Sequence, residues 1–319
     1  MHRRTAVWKA TLWGAVGGTL PDLDVLIDHG DPILNMVLHR AETHALFWLT
    51  LFSLPMALGV ARLHAETHQW RRWWLALWLV LITHPLLDVM TVYGTQLLLP
   101  FTDRPFGVGS VFIIDPVYTL PLLVGAGWAL ATRGRGWGPR ANAAGLVLST
   151  AYLGWGVAAQ QHVLTVAAQS LAAQGVVTER VLVTPTPFNT VLWRVVAVSG
   201  GQYLEGFRSL LDKPGPMHFD RFDRGAALED PLRGHDGTQR IRAFSHGFYK
   251  LHQDRGRAFV TDLRMGQEPT YVFNFAVAET RSSLVPLPVA EQVGGRPDVK
   301  RVLPWLWQRM LGNPLPPPR

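Results

Sequence analysis

The chain has 319 residues, 48% hydrophobic and 17% charged, with 30 Lys/Arg against 23 Asp/Glu for a net charge of +7. This composition excludes a disordered chain, and the absence of Cys excludes disulfides and cysteine-ligated zinc. Residues 1–170 hold only 11 Lys/Arg and 9 Asp/Glu, whereas 171–319 hold 19 and 14, so a transmembrane helical domain over 1–170 and a β-rich domain over 171–319 are expected.

In chain order, apolar stretches run over 6–27, 45–61, 73–90, 116–131 and 143–159. They predict a mainly α membrane domain of about five transmembrane helices, followed by a small β-rich (α+β) extramembrane domain. Arg3, Arg4 and Lys9, then Arg62, Arg71 and Arg72, then Arg133, Arg135 and Arg140 mark alternate loops. By the positive-inside rule these loops face the cytoplasm, which makes a multi-pass inner-membrane protein with its C-terminal domain outward. The basic excess of the first half is thereby read as topology, and nucleic acid is not expected as a partner.

Ionisable residues at the edge of a membrane segment need a physical reason. Asp22 and Asp24 stand in TLPDLD, His39 and His44 in HRAETH, and His84 and Asp88 in THPLLD. The topology places all six on the outer side. His84 and Asp88 are four apart, so on a helix they project from one face. Imidazoles and carboxylates together suit a divalent metal: zinc first, with manganese or iron also served by these donors. Arg40, the one cation of its loop, is a candidate clamp for an anionic substrate oxygen. Asp115, before Pro116, reads as a helix N-cap. His64 and His68 fall in an Arg-rich loop and read as solvated.

From about 176 onward the pattern alternates. Val181, Val183, Val191, Trp193, Val195 and Tyr203 fit strands, with Gly200-Gly201 as a hairpin turn. Further strands are expected within 243–253, 256–266 and 270–279. Residues 212–240 look loop-like, and the tail NPLPPPR looks extended.

The motifs PDLD (21–24), HRAETH (39–44), HPLLD (84–88), YGTQ (93–96), PFTDRPF (100–106) and FIIDP (112–116) together resemble the YdjM-like (YbcI-like) family of inner-membrane-associated metal-dependent hydrolases. The resemblance covers roughly 14–130, and the later stretches PTPFNTVLWRVVAV and YVFNFAVAE look like the C-terminal extension of many members. It implies that Asp22, Asp24, His39, His44, His84 and Asp88 are metal residues. Two departures stand out: members often carry a Thr-His motif before the first span, where this chain begins MHRRTAVWK, and a Ser where this chain has Ala45. The expected function is a membrane-bound, metal-dependent hydrolase acting on a phosphoester or lipid-like substrate at the outer face, with membrane lipid as a partner. Asp22 or Asp24 would serve as general base and Arg40 would stabilise developing charge. The alternatives are a non-catalytic scaffold or stress-response protein with a structural metal, and, less favoured, an ion transporter.

Overall fold

A computed structural model describes residues 5–280, 283–295 and 298–319; Arg3 and Arg4, used above for topology, lie outside them. The chain forms two compact units. The first comprises residues 1–27, 38–108 and 113–155, and the second 28–37, 109–112 and 156–319.

The first unit is helical. Helices α1 (Val7–Thr19), α3 (Leu46–Leu63), α4 (Trp70–Val89) and α5 (Pro116–Ala131) lie within it, and α2 (Pro32–Leu38) and α6 (Gly138–Ala173) share residues with the second unit. Helices α3 and α4 form a hairpin in which Ala57, Val60 and Ala61 pack on Trp73 and Leu77. Small residues allow close approach here: a Cβ on Gly17 would meet Val80 at 3.1 Å, and one on Gly145 would meet the Pro121 carbonyl oxygen at 2.3 Å.

The expectation of about five transmembrane helices is corrected. Among the described residues one helix, α3, is long and apolar enough to cross a membrane, with a mean hydropathy of 1.6. Helix α5 is apolar but spans only 16 residues. At about 1.5 Å per residue, the 13 residues of α1 cover about 20 Å of a hydrocarbon core about 30 Å thick. Helix α4 reaches 20 residues, but they include Arg71, Arg72, four tryptophans, His84 and Asp88. Helix α6 is long, yet Arg140, Asn142, Gln160, Gln161 and His162 interrupt its apolar character. The multi-pass topology and the outward C-terminal domain rest on five crossings, and one candidate span does not support them.

The second unit is β-rich. One antiparallel sheet has the order β1 (Arg180–Pro185), β2 (Leu192–Ser199), β3 (Gln202–Ser209), β4 (Asp220–Asp223). A second follows the order β10 (Leu284–Gln292), β9 (Asn274–Thr280), β6 (Arg257–Asp262), β5 (Tyr249–Asp254), and β7 (Gly266–Gln267) pairs with β8 (Thr270–Tyr271). Strand β2 is buried from Leu192 to Val198 because both its faces are covered. Trp193, Val195 and Ala197 pack with Val163, Ala167 and Leu171 of α6, while Val196 and Val198 meet Phe248, Leu263 and Tyr271. That second face also buries an ion pair, Arg194 to Glu205, at 2.6 Å. The Gly200-Gly201 turn joins β2 to β3 with Ser199 opposite Gln202. Residues 212–240, loop-like in sequence, supply β4 and the start of α7 (Asp236–Phe244).

Candidate metal centre

The site lies within the first unit and draws on three segments. Asp22 and Asp24 stand on the 3-10 turn Pro21–Leu26, which Pro21 starts at a position where a missing N–H costs nothing. His44 ends a second 3-10 turn, Glu42–His44, directly before α3. His84 and Asp88 occupy successive turns of α4. The i, i+4 spacing delivers what it promises: His84 Nε2 lies 3.4 Å from Asp88 Oδ2.

Four side chains converge. His44 Nε2 is 3.3 Å from Asp22 Oδ1, 3.3 Å from His84 Nε2 and 3.3 Å from Asp88 Oδ2. His84 Nε2 is 3.5 Å from Asp22 Oδ1. Five edges of one tetrahedron therefore measure 3.3–3.5 Å. A regular tetrahedron whose arms are about 2.0–2.1 Å, the length of zinc bonds to His and carboxylate, has edges of about 3.3–3.4 Å. Asp88 Oδ2 is buried with no donor in hydrogen-bonding geometry among the described residues, an orphan that a cation satisfies. Asp22, His44, His84 and Asp88 thus fit a divalent ion by donor type and spacing. His44 is fully buried, whereas the Asp22 side chain is 49% exposed and forms the open edge.

The other two expected ligands stand just behind. The Asp24 carboxylate accepts from the Thr43 hydroxyl at 2.8 Å and from the Arg40 backbone N–H at 2.9 Å. Its second oxygen pairs with His39 Nδ1 at 2.8 Å. Asp24 is thereby spent on holding the 39–44 turn. Thr43 Oγ1 also lies 2.9 Å from His44 Nδ1. Because this hydroxyl gives its proton to Asp24, it accepts from Nδ1–H of His44, which turns Nε2 to the cluster, as a lone pair for a cation or, when the ring is protonated, as a donor to Asp22. Thr43 was not singled out from the sequence; its place beside His44 in HRAETH was the available signal.

Arg40 is not at the surface. It is 4% exposed, with Nη2 3.2 Å from Asp88 Oδ1 and Nη1 donating to Thr91 at 3.3 Å. Its guanidinium lies over the Tyr93 ring at 5.2 Å, and its backbone adopts φ +64°. One oxygen of Asp88 is held by Arg40, and the other points at the cluster.

Protonation follows from this packing. Hydrogen bonds from His44 and His84 hold the Asp22 carboxyl well below the ordinary carboxylate range. Burial opposes a charge on His44, but the Asp22 and Asp88 carboxylates beside it prevail and raise it. Asp24 is likewise lowered: its burial is outweighed by His39, the Arg40 N–H and Thr43.

Elsewhere, Asp115 caps α5 by accepting from the Val117 N–H at 2.9 Å. His64, read as solvated, instead stacks on Trp73 and accepts from Trp13 Nε1 at 2.8 Å. His235 caps α7, and His252 stacks on Phe259.

The helical unit thus carries a two-histidine, two-aspartate cluster that could hold a metal ion. The chain belongs to the YdjM inner membrane protein family, whose match covers residues 1–163. It is also 30% identical over 118 residues to "Uncharacterized protein YfhP" of Bacillus subtilis (strain 168), over 35% of this chain and 33% of that protein. The match thus spans about a third of that relative. No solved structure matches the chain.

Proposed function

We propose that this protein is a membrane-bound, metal-dependent hydrolase of a phosphoester or lipid-like substrate, with the ion held by Asp22, His44, His84 and Asp88. The observation that carries the reading is the near-regular tetrahedron of donor atoms with one half-exposed member, Asp22. A divalent ion held there, zinc by its donor set, supplies Lewis acidity toward a phosphoester oxygen. Asp22 presents Oδ1 to the cluster and, as its half-exposed member, is the carboxylate placed to take a proton from an attacking water. His44 and His84 hold their Nε2 lone pairs inward. Arg40 positions Asp88, and Asp24 with Thr43 orients His44. The support for the membrane setting is the family together with helix α3.

A second reading has its own observation. Four protein donors closing one tetrahedron is also the arrangement of structural metal sites, and it favours a non-catalytic scaffold. Metal analysis of the purified protein, followed by assays on generic phosphoesters and phospholipids, separates the two. Near-stoichiometric metal with metal-dependent hydrolysis supports the hydrolase. Bound metal that stabilises the fold without turnover supports the scaffold, and protein that takes up no divalent metal overturns both.

A further inference from the structure

A groove of about 340 Å³ opens beside the cluster, between Leu20 and Pro21 on one side and Trp48, Leu49 and Phe52 of α3 on the other. Glu42 and Thr43 complete its lining. The groove is built into the site. Pro21 precedes Asp22, Thr43 precedes His44, and the Thr43 hydroxyl touches both Asp24 and His44. Trp48 and Phe52 share one face of α3 at i, i+4 spacing and are 43% and 47% exposed. They belong to the helix with the length and composition of a membrane span. A groove with apolar walls, joined through Pro21 and Thr43 to segments that carry the cluster, suits an amphiphile: a polar group for the donors and a hydrocarbon chain for the walls.

We propose that the substrate is an alkyl- or acyl-chain phosphoester whose chain lies in the Leu20–Pro21–Trp48–Phe52 groove while its phosphoryl group meets the cluster. This rests on the hydrolase reading above and adds its substrate class. Water is the sole co-reactant. Its oxygen bonds to phosphorus as the ester P–O bond breaks; one proton goes to the departing alcohol oxygen and the other passes through Asp22 to solvent.

The test uses the metal-loaded full chain in lipid nanodiscs and a series of p-nitrophenyl phosphodiesters bearing methyl through hexyl chains, kept monomeric. Each methylene that enters the groove is expected to raise kcat/KM about fourfold, the factor for burying one CH₂. Phe52→Ser and Trp48→Ala are expected to flatten that series, lowering kcat/KM more for the hexyl ester than for the methyl ester. Hydrolysis that ignores chain length in the wild type overturns the groove and leaves the hydrolase standing. A loss in the Phe52→Ser protein that is equal for every ester also overturns the groove, since it marks a structural defect. Turnover of no member overturns the hydrolase reading and the groove with it.

Discussion

The Thr43 hydroxyl stands between Asp24 and His44, 2.8 Å from the one and 2.9 Å from the other, and so fixes which nitrogen of His44 faces the cluster. Thr43→Val keeps the shape and removes the link. Metal affinity is expected to fall about 10–100-fold, as it does when partners behind a ligand are lost, with stoichiometry unchanged. Titration against a competing chelator checks this.

The four proposed ligands are expected to behave differently. His84→Ala and Asp88→Ala each remove one vertex of the tetrahedron and are expected to abolish stoichiometric metal in the purified protein. His39→Ala, which removes one of the three partners of Asp24, is expected to retain it. Elemental analysis decides. Full metal content in both His84→Ala and Asp88→Ala sinks the assignment.

Arg40 and Asp88 are buried together, their side chains 5% and 12% exposed. Arg40→Met leaves Asp88 uncompensated and is expected to destabilise the metal-free protein by about 3–5 kcal/mol, the usual cost of breaking a buried pair from one side. Double substitution with Asp88→Asn is expected to recover part of that. Chemical unfolding in chelator measures both.

His252 gives the β-rich unit an acid weakness. Burial and the nearby Lys250 push it below its ordinary 6.5, against smaller opposing pulls from Glu268 and Asp254. The unfolded chain therefore takes up the proton first as pH falls, and stability drops below about that value, toward the folded pKa. Lower protection factors of the β5 and β6 amides on acidification, corrected for the intrinsic exchange rate at each pH, are expected and are abolished in His252→Phe. An unchanged acid response in the variant contradicts it.

Much of the site was legible because its logic is local. The i, i+4 pair His84 and Asp88 needs only a helix, and PDLD and HRAETH each announce donors near a turn. What could not be read was the division of labour. Asp22 and Asp24 sit in one short motif, and only the path of the 39–44 turn decides that Asp22 faces the cluster and Asp24 faces Thr43. The alternating strands were legible because β2 and β3 carry a period-2 pattern on both sides of Gly200-Gly201. Span counting failed for a composition reason: tryptophan-rich α4 and glycine-rich α1 look apolar residue by residue, yet they are too mixed or too short as whole helices.

Arg40 meets two demands that no single residue satisfies without conflict. Its backbone at φ +64° is where glycine rests freely and an L side chain gives up about 1–2 kcal/mol. Its guanidinium is the counter-charge of Asp88. Glycine at 40 would relax the turn and strand a carboxylate; any residue chosen for charge keeps the turn wound. Conformational tension at this position is therefore the standing condition for an aspartate oxygen aimed into the cluster, and a library screened at position 40 for thermal stability alone would drift away from metal affinity.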